Sequence, residues 1–170
     1  MPFHLMELEA LLANYPDAIF IQTHREPTQF MGSWNSFVER AHSLVYEPQS
    51  RETFGAEQLA LMSGMMDRAV HFRETHPELE DRWMDVNYVD LIEDPFGVIR
   101  SIYKHFGWTL EQAAIDAMED WQLRQSEQRR REKRHRYTLE DYGLTPEEVN
   151  AAFARYRDFI TDRGIRSSHS

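Results

Sequence analysis

Short runs of consecutive apolar residues mark two places in this chain where a strand is predicted. Residues 18–21 (Ala-Ile-Phe-Ile) follow a Tyr-Pro-Asp break, and such a run is typical of a strand buried on both faces of a parallel sheet. A second short strand is predicted around residues 84–88. Two strands do not form an independent sheet. The pattern therefore predicts a helix-rich α/β fold with an incomplete parallel sheet.

Elsewhere apolar residues recur every three or four positions, which predicts amphipathic helices. The first helix ends near Asn14, the second begins at Pro27, and the third covers residues 56–75. We interpret the methionines of the third helix as core packing. Because no repeat, low-complexity tract or linker interrupts the sequence, residues 1–170 are predicted to form a single domain.

Polar residues with capping geometry predict three further helix starts. Asp94 is expected to cap a helix that ends at Gly107. Thr109 with Gln112, and Thr145 with a glutamate three positions later, both have the spacing of a capping box. The last of these helices would bury a stripe of apolar residues: Val149, Phe153, Tyr156 and Ile160.

Composition and charge narrow the class of protein. The chain has no cysteine, which excludes disulfides and thiolate chemistry, and no apolar run long enough for a membrane helix. Its net charge of −10 argues against a nucleic-acid partner. Residues 124–136 nevertheless hold seven basic and two acidic residues. Such a basic island suits an anion, and the alternative is a solvated loop. A cytoplasmic protein is predicted.

The stretch that carries chemistry is the junction between the first strand and the second helix. Arg25 leaves the strand, Pro27 starts the helix, and Ser33 lies about two turns further on. Ligands bind beyond the carboxyl ends of strands in open α/β sheets, and a helix N-terminus favours an anion. The planar, charged guanidinium of Arg25 would add hydrogen-bond donors that fit a phosphate. The alternative is that Arg25 forms an ion pair with Glu26 or Asp90.

Beyond this junction, three segments in order resemble the sulfotransferases that use 3′-phosphoadenosine 5′-phosphosulfate (PAPS). Residues 15–33 resemble their 3′-phosphate-binding motif, in which a serine follows the arginine by eight positions. Residues 86–91 resemble a Tyr-Glu-Asp-Leu element, and residues 135–144 resemble the ending of a mainly bacterial branch. The resemblance covers about residues 2–160.

The resemblance implies a P-loop-like sulfotransferase fold that moves a sulfuryl group from PAPS to a hydroxyl or amine of a small acceptor without a metal. Arg25 and Ser33 would hold the 3′-phosphate. Tyr88 would lie against adenine; the alternative is a packed aromatic residue at a strand end. The basic island would supply a mobile lid over the 3′-phosphate. The best candidates for residues of this lid are Lys133, Arg134 and Arg136.

His4 is the candidate catalytic residue. The resemblance places it where a histidine precedes the helix that leads to the arginine strand, and imidazole can take a proton from an acceptor hydroxyl near neutral pH. The alternative is an exposed histidine at a helix start. Six other histidines show no metal-ligand spacing and are interpreted as structural or surface residues: His24, His42, His71, His76, His105 and His169.

The sequence departs from the family pattern in three places. Glu26 replaces an aspartate, Val89 stands where a glutamate is usual, and no Gly-rich loop with a lysine is present to bind the 5′-phosphosulfate. We therefore expect a truncated chain that is inactive alone and is completed by an N-terminal half on another polypeptide or by homo-oligomerisation. The alternative is a non-enzymatic nucleotide- or protein-binding remnant of the same fold.

Overall fold

The computed structural model describes residues 2–44, 47, 49–129 and 137–165. Two compact units are present, one formed by Met1–Val89 with Tyr137–Ser170 and the other by Asp90–Arg136. In chain order the helices are α1 (Leu8–Asn14), α2 (Pro27–His42), α3 (Arg51–Thr75), α4 (Tyr88–Glu93), α5 (Pro95–His105), α6 (Gln112–Arg129), α7 (Pro146–Ala152) and α8 (Ala154–Asp162). Short 3-10 helices cover Pro2–Met6, Pro77–Arg82 and Glu140–Tyr142.

Two parallel strands, β1 (Phe20–His24) and β2 (Trp83–Asn87), form the sheet of the described residues. The register pairs Phe20 with Trp83 at one end and His24 with Asn87 at the other. The Phe20 and Trp83 rings stack with centroids 4.3 Å apart. The chain between the strands runs through α2 and α3, as a crossover between parallel strands requires.

The first strand is shifted relative to the apolar run 18–21 that predicted it. β1 begins at Phe20 and continues beyond Ile21 through Gln22, Thr23 and His24, so it ends directly before Arg25, as the junction prediction required. Gln22 and His24 are buried, and both are hydrogen-bonded, to Arg73 and to Asp85 respectively. Polar residues extend the strand because partners from other elements satisfy them, which a hydrophobic pattern does not record.

Local capping chemistry explains where the helices of the first unit begin. α3 begins at Arg51, ahead of the predicted residue 56, because the Ser50 side chain accepts from the backbone N–H of Thr53. The capping box of Thr145 and Glu148 is confirmed at the start of α7. The stripe predicted as one final helix is divided at Phe153 into α7 and α8.

The core of the first unit confirms the structural role of the methionines. Met31, Met62 and Met65 are buried together with apolar residues of α7, α8 and the residue between them, namely Val149, Phe153, Tyr156, Phe159 and Ile160. A second cluster joins α1, α3 and β2 through Leu8, Phe72 and Trp83. The helix α2, which follows the functional junction, is therefore held against α3 and α7 by a continuous apolar layer.

In the second unit one predicted cap is confirmed and another is wrong. Asp94 caps α5, since its carboxylate accepts from the backbone N–H of Gly97. The capping box of Thr109 and Gln112 does not form, because α6 begins at Gln112 itself, and that side chain donates to Asp116 instead. Within the described residues, no helix combines the length and apolarity needed for a membrane span.

Candidate functional site

A cavity of about 680 Å³ lies beside the junction between β1 and α2. Thr23, Arg25 and Pro27 come from the junction, and Tyr88 comes from the residue that follows β2. The cavity therefore includes the carboxyl ends of both strands, where an α/β sheet places its ligands.

The predicted site residues of the described chain all line this one cavity. His4 reaches it from the 3-10 helix Pro2–Met6, Arg25 from the end of β1, Ser33 from α2 and Tyr88 from the end of β2. Their separation in sequence is large, so folding has brought them together. Their individual roles stay predictions.

Arg25 makes a ring contact with Tyr88, but one of its buried donors has no partner among the described residues. Its guanidinium carbon lies 4.6 Å from the centre of the Tyr88 ring, which is a cation–π contact. Its Nε is buried and has no hydrogen-bond partner among the described residues. Glu26, one of the carboxylates considered as its partner, lies 3.6 Å from Arg157 Nε. An unpaired, buried donor of a charged group at a cavity wall is costly unless a ligand atom satisfies it.

Behind the junction lies a buried polar network that the sequence analysis missed. His24 is fully buried; its Nε2 lies 2.8 Å from Asp85 Oδ1 and its Nδ1 lies 2.9 Å from the Tyr156 hydroxyl. Arg73 donates to both oxygens of Asp85, at 2.6 and 3.0 Å, and to Glu80 at 2.6 Å. One signal was present: Asp85 is a carboxylate inside a predicted buried strand, and such a group needs a charged or hydrogen-bonding partner.

The network keeps Asp85 ionised. Burial raises the pKa of this carboxyl, but the hydrogen bonds from His24 and Arg73 outweigh burial and hold the pKa well below its usual range. Burial likewise lowers the pKa of Arg73, yet the hydrogen bonds to Asp85 and Glu80 leave it above the ordinary value. The pKa of Tyr156 is raised, first by burial and then by the nearby negative charge of Asp85. The phenol is therefore neutral at physiological pH.

The basic residues predicted to form a lid, Lys133, Arg134 and Arg136, lie outside the described residues. The next described residue is Tyr137, and its backbone carbonyl packs against Gly32 of α2. A Cβ on Gly32 would lie 2.9 Å from that oxygen. The chain that follows the basic island is thus anchored one residue from Ser33. Among the described residues, no group of three or more His, Asp or Glu side chains is placed to hold a metal ion.

Comparisons with known proteins agree with this geometry. The sequence profile described as the sulfotransferase family matches residues 1–112. A search of curated proteins found no match. A sulfotransferase from Mycobacterium tuberculosis is 35% identical with a TM-score of 0.71, over 89% of this chain and 37% of that protein. One from Mycobacterium avium is 30% identical with a TM-score of 0.77, over 94% of this chain and 40% of that protein.

The chain thus spans about two fifths of the length of these solved relatives. Both matches extend over most of this chain. They confirm the predicted α/β sulfotransferase fold, rich in helix and with few strands. This chain belongs to the sulfotransferase family.

Proposed function

We propose that this chain contributes the 3′-phosphate-binding part of an enzyme that transfers a sulfuryl group from PAPS to a hydroxyl or amine. The observation that carries the proposal is the buried, unpaired Nε of Arg25 at the wall of the cavity. A phosphate oxygen would supply the missing acceptor. A charge-assisted hydrogen bond of this kind contributes about 1.5–3 kcal/mol.

The surroundings of Arg25 fit a phosphate group. Ser33 lines the same cavity from α2, and its hydroxyl can donate to a second phosphate oxygen. The positive end of the α2 dipole lies at Pro27, also on the cavity wall. The carboxylate of Glu26 beside it is paired with Arg157, which reduces its repulsion of an incoming anion.

When bound, PAPS supplies the activated sulfuryl group, and the residues of this chain bind PAPS and orient it. In the proposal a new bond forms from the acceptor oxygen to sulfur, and the hydroxyl proton would pass to the His4 imidazole. The O–S bond of the phosphosulfate would break with its electron pair on the 5′-phosphate oxygen, so that adenosine 3′,5′-bisphosphate leaves. His4 is exposed and lines the cavity, so an acceptor can reach it. Tyr88 is proposed to contact adenine as well as Arg25. The roles of Lys133, Arg134 and Arg136 stay predictions.

Calorimetry on the full-length protein tests this proposal. Adenosine 3′,5′-bisphosphate should bind more tightly than 5′-AMP, and Arg25→Ala should weaken the bisphosphate by roughly 10- to 100-fold while changing 5′-AMP little. Arg155→Ala is the matched control, because Arg155 is paired with Glu74 and does not line the cavity. Equal affinity for the two nucleotides would show that the cavity is not a 3′-phosphate site. Transfer of radiolabelled sulfur from PAPS to phenols, alcohols or amines then separates an enzyme from a nucleotide-binding remnant.

A further inference from the structure

Two consecutive residues of α8 contact the residues on either side of Arg25. The hydroxyl of Tyr156 lies 2.9 Å from Nδ1 of His24, which directly precedes Arg25. Arg157 Nε lies 3.6 Å from Oε1 of Glu26. The backbone around Arg25 is therefore tied to a helix more than a hundred residues away in sequence.

The partners of His24 decide the direction of its two hydrogen bonds. Asp85 is a carboxylate and can only accept, so Nε2 of His24 carries the hydrogen that bridges the 2.8 Å to Asp85 Oδ1. In the neutral imidazole Nδ1 is then an acceptor, and the Tyr156 hydroxyl donates to it. The phenol of Tyr156 thus holds the buried imidazole of the residue that directly precedes Arg25.

The other end of the network is fixed in the core. Asp85 receives both arms of the Arg73 guanidinium, whose carbon lies 4.7 Å from the Trp83 ring centre and 5.0 Å from that of Phe159. Arg73 is 2% exposed. Side chains locked by packing and hydrogen bonds hold a binding group more accurately than an exposed loop does.

We infer that Tyr156 is a positioning residue for Arg25: its hydroxyl holds the imidazole of His24, and with it the backbone from which the guanidinium of the next residue reaches the cavity. The inference rests on the proposed function, in which Arg25 binds the 3′-phosphate. Without the hydroxyl the arginine keeps its charge but loses one restraint on its backbone. The affinity for a nucleotide with a 3′-phosphate should therefore fall, whereas the affinity for a nucleotide without this phosphate should not change.

The test is Tyr156→Phe in the full-length protein, with the affinities for adenosine 3′,5′-bisphosphate and 5′-AMP measured by calorimetry. Phenylalanine keeps the ring that packs in the core and removes only the hydroxyl. The preference for the bisphosphate should fall by roughly 3- to 10-fold, the effect of one lost hydrogen bond. In the background of Arg25→Ala the same change should leave the preference unaltered, because no arginine remains to be positioned.

Tyr142→Phe is the matched control. Tyr142 is fully buried, and its hydroxyl donates to Glu39 at 2.9 Å, but it does not line the cavity. This variant should retain the parent preference. If Tyr156→Phe keeps the parent preference while Arg25→Ala loses it, the positioning role is wrong and the proposed function stands. An equal fall in both tyrosine variants would also overturn the positioning role. A parent protein without any preference would overturn both.

Discussion

The guanidinium carbon of Arg25 lies 4.6 Å from the ring centre of Tyr88. The sheet register explains this contact. β1 and β2 are parallel and pair His24 with Asn87, so the next residue of each strand emerges at the same edge of the sheet. Tyr88 thereby provides a flat surface for the guanidinium, while the buried Nε has no hydrogen-bond partner among the described residues.

We predict that Tyr88→Leu lowers the affinity for adenosine 3′,5′-bisphosphate by about 3- to 10-fold, since the cation–π contact that orients Arg25 is lost. Tyr88→Phe retains the aromatic face and should bind almost as the parent does. Calorimetry with both nucleotides separates two roles of the ring. The loss should be larger for the bisphosphate than for 5′-AMP, and an equal loss for the two nucleotides would mean that Tyr88 acts through adenine alone.

His4→Ala should lower kcat by roughly 10²- to 10⁴-fold with little change in nucleotide affinity, as expected for the loss of a general base. The measurement is sulfur transfer from radiolabelled PAPS to a panel of phenols, alcohols and amines by this chain together with the N-terminal half that is expected to complete it. His71→Ala is the control, because His71 is exposed on α3 and does not line the cavity. Similar kcat values for the parent and His4→Ala would show that His4 takes no proton.

Asp85→Asn should reduce the free energy of unfolding at pH 7 by about 3 kcal/mol, because Arg73 would lose its buried counter-charge. Asparagine keeps an oxygen that can accept from His24. The exposed change Asp17→Asn should stay within about 0.5 kcal/mol of the parent. Urea unfolding followed by tryptophan fluorescence gives both values, and an unchanged stability would show that the network is not stabilising.

The pH dependence of stability should carry the signature of the same carboxyl. Its pKa in the folded protein lies below the ordinary value of an unfolded chain, so its stabilisation is present above about pH 4 and is lost as the pH falls further. Between pH 5 and pH 3 the free energy of unfolding of the parent should therefore decline more steeply than that of Asp85→Asn. Parallel curves would contradict the lowered pKa.

Two glycines of α3 should respond in opposite ways to alanine. A Cβ on Gly55 would collide with the backbone carbonyl of Tyr142, and backbone atoms cannot move aside cheaply. We expect Gly55→Ala to destabilise the protein by about 1–3 kcal/mol despite the better helix propensity of alanine. Gly64 has no atom within 4 Å of its Cβ position, so Gly64→Ala should stabilise by about 0.5–1 kcal/mol. Thermal and urea unfolding of both variants measure these changes in stability. A Gly55→Ala variant as stable as the parent would contradict the close approach of the Tyr142 carbonyl.

The sequence by itself determined the features that depend on neighbouring residues. The start of α2 at Pro27, the cap at Asp94 and the capping box of Thr145 and Glu148 were all predicted correctly. Each is decided by a few adjacent side chains and the backbone groups that they satisfy. Arg25 and Ser33 became candidates from a strand end and a helix start, and from a spacing of eight residues that resembles the family motif; their roles stay predictions.

Only the tertiary structure decided how β1 continues beyond Ile21 and what surrounds Arg25. His24 is bonded to residues 61 and 132 positions away, and no local pattern reports such partners. A buried polar side chain is stable only when groups from other elements satisfy it, and which groups do so depends on how those elements pack. For this reason His24, Arg73, Asp85 and Tyr156 became a single network only when four separate elements were brought together.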